Sequence, residues 1–271
     1  MDRTDIADLI VQKLEAMSDC LMQSYKGSES KIGYFVVDDL LPQDLALEIF
    51  SCFPETKEMR LKRSIREYKY IAAQMNKYNP ILEESVYAFQ DSRVVSLIAR
   101  ICNITSLYPD EYLYAGGISY MGDKQFLNPH LDNSHDKDRD KWRVLNLLYY
   151  VTPDWSFDNG GNLELWPNGL KQTPVAIHSK FNRLAVMATH NASWHSVSPI
   201  SCAGHPRCCV SNYYFSDSPL KATDQFHVTS FRGRPEQKIR DFVLRADIEA
   251  RMMVRKLFKK GIVENKHVYK K

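Results

Sequence analysis

Hydrophobic positions along the chain change their period twice. From about residue 3 to residue 105 they recur mostly at helical spacing. Ile6, Leu9, Ile10, Leu14, Met17 and Leu21 form one apolar stripe, the pattern of an amphipathic helix. Gly33-Tyr34-Phe35-Val36-Val37 is a short apolar run that suits a strand. Pro42 then opens a helix through Leu45, Leu47, Ile49 and Phe50, since proline is tolerated in the first helical turn. Ser85 to Ile101 reads as one further helix, carrying Val86, Phe89, Val94, Val95, Ile98 and Ala99.

Between about residues 110 and 217 the chain becomes a series of short β runs: Leu113–Met121, Gln125–Asp132, Arg143–Thr152, Gly161–Trp166, Pro174–His178, Leu184–Ala188, Trp194–Ile200 and Arg207–Ser216. Asp123, Asn159-Gly160-Gly161, Asn168-Gly169, Asn182 and Gly204 punctuate them. Eight strands without intervening helices predict two facing antiparallel sheets, a jelly-roll or double-stranded β-helix. Helical spacing returns from Pro235 to Lys260, with Ile239, Phe242, Val243, Ile248, Met252 and Leu257 as the expected buried stripe. The expected fold is mainly β with helical additions, a double-stranded β-helix (jelly-roll) core braced by N- and C-terminal helices. It forms one domain over 1–271: a helical region at 1–108, the core at 109–234, and a helix and tail at 235–271.

Composition narrows the function classes. Lys plus Arg number 36 against 33 Asp plus Glu, a net charge of +3, without the basic stripe a nucleic-acid partner requires. The basic run Lys266 to Lys271 reads as a solvated, frayed tail. The six cysteines contain no C-x-x-C pair; adjacent Cys208 and Cys209 read as small hydrophobes on opposite faces of a strand, which implies a reducing compartment. Neither a signal peptide nor a transmembrane run is expected, so the expected location is cytoplasmic. Sequence says nothing of the oligomeric state.

The candidate chemistry lies in Asn128-Pro129-His130-Leu131-Asp132-Asn133-Ser134-His135. Residues two apart on a strand share a face, so His130 and Asp132 can reach one ion. Trp194-His195-Ser196-Val197 offers a third ligand, His195, 63 residues beyond Asp132. Two histidines and one carboxylate leave three octahedral positions free, the pattern of non-haem iron(II) oxygenases. An H-x-D triplet alone is equally a surface hydrogen-bonded pair. Arg207 adds weight because it follows His195 by 12 residues at the start of the next β run. A guanidinium grips a carboxylate through two parallel hydrogen bonds, as the far carboxylate of 2-oxoglutarate requires. Its bland reading is a rim salt bridge.

Taken in order, Pro129-His130-Leu131-Asp132, Gly160-Gly161-Asn162-Leu163-Glu164-Leu165-Trp166, Trp194-His195-Ser196-Val197 and Pro206-Arg207-Cys208-Cys209 resemble the 2-oxoglutarate/iron(II) dioxygenases of the prolyl 4-hydroxylase-like superfamily. The resemblance spans about residues 112 to 217. It implies Fe(II) as metal, 2-oxoglutarate as cosubstrate, O2 as oxidant and hydroxylation of an unactivated C–H bond. The N-terminal half and Phe226-His227-Val228-Thr229-Ser230-Phe231-Arg232-Gly233-Arg234-Pro235 resemble, more narrowly, a bacterial branch that acts on free amino acids and includes halogenases. Those halogenases replace the metal-binding carboxylate with glycine, so retention of Asp132 implies hydroxylation. Cys209 stands where many superfamily members have serine; the hydrogen bond to 2-oxoglutarate then falls to Ser211 or Tyr120.

Asn133, His135 and Trp142 are the substrate candidates. Each has a blander role: exposed loop for Asn133 and His135, core closure for Trp142. Trp155 reads as a core aromatic, and His178 and His190 as satisfied structural histidines. One residue of each pair Tyr149-Tyr150 and Tyr213-Tyr214 should face the core, and Gly160-Gly161, without a following helix, reads as a turn. The expected partner is a small polar molecule, a free amino acid or a derivative; a protein side chain is the alternative, and neither nucleic acid nor membrane is expected. Desaturation or demethylation by the same iron chemistry, a non-catalytic jelly-roll binding module and a zinc-dependent hydrolase or isomerase remain open.

Overall fold

The computed structural model describes residues 1–258 and 268–269. Helices α1 (Arg3–Ala16) and α2 (Ser18–Ser28) break the first apolar stripe at Met17, yet Ile6, Ile10, Leu14 and Leu21 all stay buried. Strand β1 (Tyr34–Val37) and α3 (Gln43–Ser51), entered through Pro42, follow as expected. The stretch read as one helix over 85–101 is two, α4 (Pro80–Ala88) and α5 (Ser92–Cys102). The Asp91 carboxylate accepts the Arg93 amide at 2.9 Å and caps a new helix start.

Between α3 and α4 the chain makes a hairpin that helical spacing does not foresee, β2 (Arg60–Arg63) and β3 (Glu67–Ala72). The short β4 (Tyr108–Pro109) comes next. The expected runs then appear, trimmed at their ends, as β5 (Gly117–Met121), β6 (Phe126–Leu131), β7 (Trp142–Tyr150), β8 (Leu163–Leu165), β9 (Val175–Ile177), β10 (Arg183–Ala188), β11 (His195–Val197) and β12 (Arg207–Ser216). The two-residue β13 (Ser230–Phe231) precedes α6 (Lys238–Leu257).

The strands form one antiparallel sheet in the order β1-β10-β7-β12-β5-β3-β6-β11-β8-β9, curled into the half-barrel of a jelly-roll core. Strand β3 makes the corner. Its Glu67 and Tyr68 pair with Leu127 and Phe126 of β6, while Tyr70, Ile71 and Ala72 pair with Tyr120, Ser119 and Ile118 of β5. Gly117 permits the close approach: a Cβ there would lie 2.3 Å from the Ala72 carbonyl oxygen, and its φ is +119°.

Strand alternation divides the interior. Leu145, Leu147, Tyr149, Val186, Cys208, Val210 and Tyr214 face the helices, burying their apolar stripes in the main core. Leu163, Leu165, Tyr150, Met187 and Cys209 fill the inner side. The two adjacent cysteines thus point to opposite faces, as their sequence implies.

Helix α6 departs from expectation. None of the six residues of its expected stripe is buried: Ile239, Phe242, Val243 and Leu257 are exposed, Ile248 and Met252 half-buried, and Leu244 is the buried one. Polar ties set this rotation. Asp241 receives Arg232 Nε at 2.6 Å and the Gly233 amide at 3.0 Å; Asp247 pairs with Arg66; Arg251 Nη1 donates to the Thr229 carbonyl at 2.6 Å. Residues 259–260 of the expected helix and most of the Lys266–Lys271 run lie outside the described residues. Tyr269, within that run, is buried rather than frayed, and its hydroxyl meets Glu83 at 3.0 Å. No helix among the described residues is long and apolar enough to cross a membrane.

Candidate metal centre

Strand pairing assembles the centre. His130 lies near the end of β6, Asp132 just beyond it, and His195 opens β11 directly opposite His130 in the ladder. The imidazole centroids are 4.0 Å apart. Asp132 Oδ1 lies 3.7 Å from His130 Nε2, and Oδ2 lies 3.6 Å from His195 Nε2. All three ligand atoms fall within 4.8 Å of one another, and no side chain of the three is more than 9% exposed.

Backbone contacts orient the rings. His130 Nδ1 meets the Asn128 carbonyl and His195 Nδ1 the Ser193 carbonyl, each at 3.0 Å. A carbonyl holds the proton on Nδ1 and leaves the Nε2 lone pair free, as a metal-ligating imidazole requires. Phe231 stacks on the His130 ring at 5.1 Å, fixing it from the other side. Asp132 Oδ2 is buried with no hydrogen-bond partner, which costs free energy in the absence of a cation. Two imidazole lone pairs and an orphaned carboxylate oxygen therefore fit a divalent ion, and this donor set suits iron. Burial, together with His195, pushes the His130 pKa down to about 3. Burial raises that of Asp132, but His195, Arg143 and His130 outweigh it and hold the carboxyl below its ordinary value.

The triad opens on a cavity of about 370 Å³ whose walls include Arg207, Ser211, Ser119, Asn133, Asn146 and Arg143. Arg207 is buried; its Nε donates to Ser179 Oγ at 3.0 Å, and its cation sits 4.7 Å from the Tyr150 ring centroid. The Tyr150 hydroxyl is buried beside it without a well-formed hydrogen bond, and burial pushes its pKa up to about 12. Gly161 makes room: a Cβ there would stand 2.8 Å from Arg207 Cδ, and its φ of +65° favours glycine.

The other sequence candidates divide. Ser211 and Asn133 line the cavity. Tyr120 does not, because Arg207 and Cys209 pair with Met121 and Ser119, putting Tyr120 on the opposite face with Cys208; it packs edge-on to Tyr70 at 6.1 Å. Ser119, not Tyr120, is thus the β5 residue that brings a hydroxyl to the cavity, beside Ile118 and Met121. His135 and Trp142 pack against each other, ring centroids 4.2 Å apart and planes tilted by 41°, and also stand outside it. His135 instead borders an adjoining hollow with Asn133, Phe226 and Arg139. His178 Nε2 donates to the Trp155 carbonyl, 2.8 Å away, a structural contact outside the cavity.

Three features escaped the sequence reading. Tyr150 lies under Arg207, a placement that only knowledge of which tyrosine of the pair faces inward would give. The β2–β3 hairpin brings Lys62, Arg66, Glu67 and Lys69 to the cavity; the alternation Glu67-Tyr68-Lys69-Tyr70-Ile71 was its signal. Arg143 reaches to 3.6 Å from Asp132 Oδ1. Its signal is structural: a bulge sets Leu145 opposite Tyr214 but Arg143 opposite Phe215, and one extra residue turns a side chain to the other face.

Residues 116–215, which include all three members of the triad, match the model of the 2OG-Fe(II) oxygenase superfamily. The matched segment is thus that of a 2OG-Fe(II) oxygenase, a class that uses Fe(II), 2-oxoglutarate and O2. Solved structures share the fold. A prolyl hydroxylase from Trichoplax adhaerens, in complex with a hypoxia inducible factor oxygen degradation domain peptide fragment, is 19% identical, with a TM-score of 0.53 over 79% of this chain and 96% of that one. A prolyl-4-hydroxylase from Pseudomonas putida is 16% identical, with a TM-score of 0.54 over 73% and 100%. A prolyl 4-hydroxylase structure from Phytophthora capsici gives 16% and 0.55 over 94% and 80%. A search among curated protein sequences finds no significant match.

Proposed function

We propose that the protein hydroxylates an unactivated C–H bond of a small polar substrate, using His130, Asp132 and His195 to hold iron(II) and Arg207 to hold 2-oxoglutarate. The observation that carries the reading is the buried, unpartnered Asp132 oxygen between two imidazoles whose Nε2 atoms are left free. Iron(II) there would activate O2 and couple oxidative decarboxylation of 2-oxoglutarate to oxygen insertion.

The chain's own contribution is placement and exclusion of water. Arg207, fixed by Ser179 and Tyr150, offers its remaining N–H groups to the far carboxylate of the cosubstrate. Ser119 and Ser211 supply hydroxyls to the same cavity, and Asn133 lies beside Asp132 where substrate would approach. His135 is a candidate for the outer part of a longer substrate, through the adjoining hollow. Hydroxylation is also what the names of the prolyl hydroxylase structures would suggest. Residues 1–271 act as one oxygenase domain in this reading, since β1 and β3 from the first 108 residues are built into the sheet. Six free cysteines fit a cytoplasmic setting.

His130→Ala and Asp132→Ala should each abolish succinate release from 2-oxoglutarate. Unchanged release would remove the assignment. Product mass then separates outcomes: one oxygen heavier for hydroxylation, two hydrogens lighter for desaturation.

A further inference from the structure

We propose that the outward face of α6 docks the α6 of a second copy of this chain, the two helices running antiparallel about a two-fold axis. None of the residues of this face lines the cavity, and the proposal stands apart from the function given above.

Ile239, Val243, Ala246, Ala250, Met253 and Leu257 are all exposed. They recur at intervals of four, three, four, three and four residues. That spacing is the seam of a two-helix coiled coil, narrower than the stripe of a helix lying on a core. The seam runs about 27 Å along the helix, with Ile239 84% exposed at one end and Leu257 74% at the other. A soluble monomer rarely leaves so long an apolar strip in water. Polar ties on the other side of α6 keep it facing out: Asp241 to Arg232, Asp247 to Arg66, and Arg251 to the Thr229 carbonyl, around the buried Leu244. The helix is therefore ordered before a partner arrives, and pairing costs little conformational entropy.

The seam is complementary to itself. From either end it runs large, large, alanine, alanine, large, large. An antiparallel pair sets Ile239 against Leu257, Val243 against Met253 and Ala246 against Ala250, so the two backbones approach closely around the axis. Each contact occurs twice, as two-fold symmetry requires. Charge agrees. Glu249 borders the seam near the axis, and Arg245, 62% exposed, lies one turn away on the same edge. Antiparallel packing brings Arg245 of each copy toward Glu249 of the other. A parallel pair would set Glu249 beside Val254 and align the two helix dipoles unfavourably. A lipid surface is a poorer match, because an interfacial helix carries a broad apolar face with a basic border, and here alanines occupy the middle and a glutamate the edge.

The seam is shorter than three heptads, so the dimer should dissociate with a Kd on the order of 10 µM. Sedimentation equilibrium of the full-length protein from about 1 to 200 µM should show monomer and dimer exchanging. Ala246→Glu combined with Ala250→Glu puts carboxylates into the central layers; both are solvated in the monomer and keep helix-forming residues. That variant should stay monomeric throughout and melt like the native protein at low concentration. Ile239→Cys combined with Leu257→Cys should cross-link into a dimer on mild oxidation, and Leu257→Cys alone should give no more dimer than the native protein. A native protein that remains monomeric at the highest concentration would overturn the proposal without any variant. A dimer that survives the double glutamate, or cross-linking by Leu257→Cys alone, would overturn the antiparallel seam. Binding of the native protein to phosphatidylcholine–phosphatidylserine vesicles, lost in the double glutamate, would make the face a membrane anchor and overturn it as well.

Discussion

Arg207→Gln isolates the cosubstrate grip. In the native protein Ser179 engages Nε and Tyr150 lies beneath the cation. Nη1 faces the Met121 sulfur, at 3.7 Å. An edge of the guanidinium is thus left for two parallel bonds to a carboxylate. Charge-assisted bonds are worth about 1.5–3 kcal/mol each, and glutamine retains one neutral bond. The net loss is about 3 kcal/mol, or roughly 150-fold in Kd. Anaerobic calorimetry of 2-oxoglutarate with Mn(II) reads this directly. 2-Oxopentanoate, which has the same length but no far carboxylate, should bind the variant and the native protein equally. Metal affinity should stay unchanged, because Arg207 touches none of the triad. A Kd for 2-oxoglutarate within threefold of the native value, or an equal loss for 2-oxopentanoate, would refute the grip.

Gly161→Ala should lower stability by about 1–2 kcal/mol through its left-handed φ and raise KM for 2-oxoglutarate by crowding Arg207; a melt and a KM both unchanged would contradict the close approach. Asp38 is held at a pKa of about 2, chiefly by the Arg183 guanidinium at 2.5 Å with help from Lys180. Its carboxyl is partly exposed, so after solvent screening the pairing contributes about 1 kcal/mol. A depressed carboxylate stabilises above its unfolded pKa, so this increment should be full above about pH 4 and vanish as pH falls toward 2. Asp38→Asn should therefore melt lower than the native protein at pH 7 and together with it near pH 2; a constant difference would exclude linkage.

The β core was legible because its signal is local: each strand run alternates, and turn residues bound it. The triad was legible for the same reason, since His130 and Asp132 share a face whatever the rest of the chain does. What failed depended on relations between distant segments. The hairpin carrying Glu67 and Lys69 is too polar to register as buried sheet, although it closes the corner of the half-barrel. Tyr120 was placed on the wrong face because its neighbours were unknown; a one-residue offset reverses every side chain of a strand. The bulge before Leu145 does the same to Arg143, and no feature of Trp142-Arg143-Val144-Leu145 announces it. Helix α6 was recognised by its period, but Asp241, Asp247 and Arg251 decide which side it turns inward. Periodicity identifies a helix; partners on other elements choose its buried face.

The central claim is that three side chains converge on one iron ion beside a cosubstrate. Anaerobic crystals grown with Fe(II) and 2-oxoglutarate, measured at the iron absorption edge, test it most directly. A single anomalous peak should lie on the order of 2.1 Å from His130 Nε2, His195 Nε2 and an Asp132 carboxylate oxygen, with the far carboxylate of 2-oxoglutarate on Arg207. Iron absent from that position, or bound there with 2-oxoglutarate turned away from Arg207, would contradict the account.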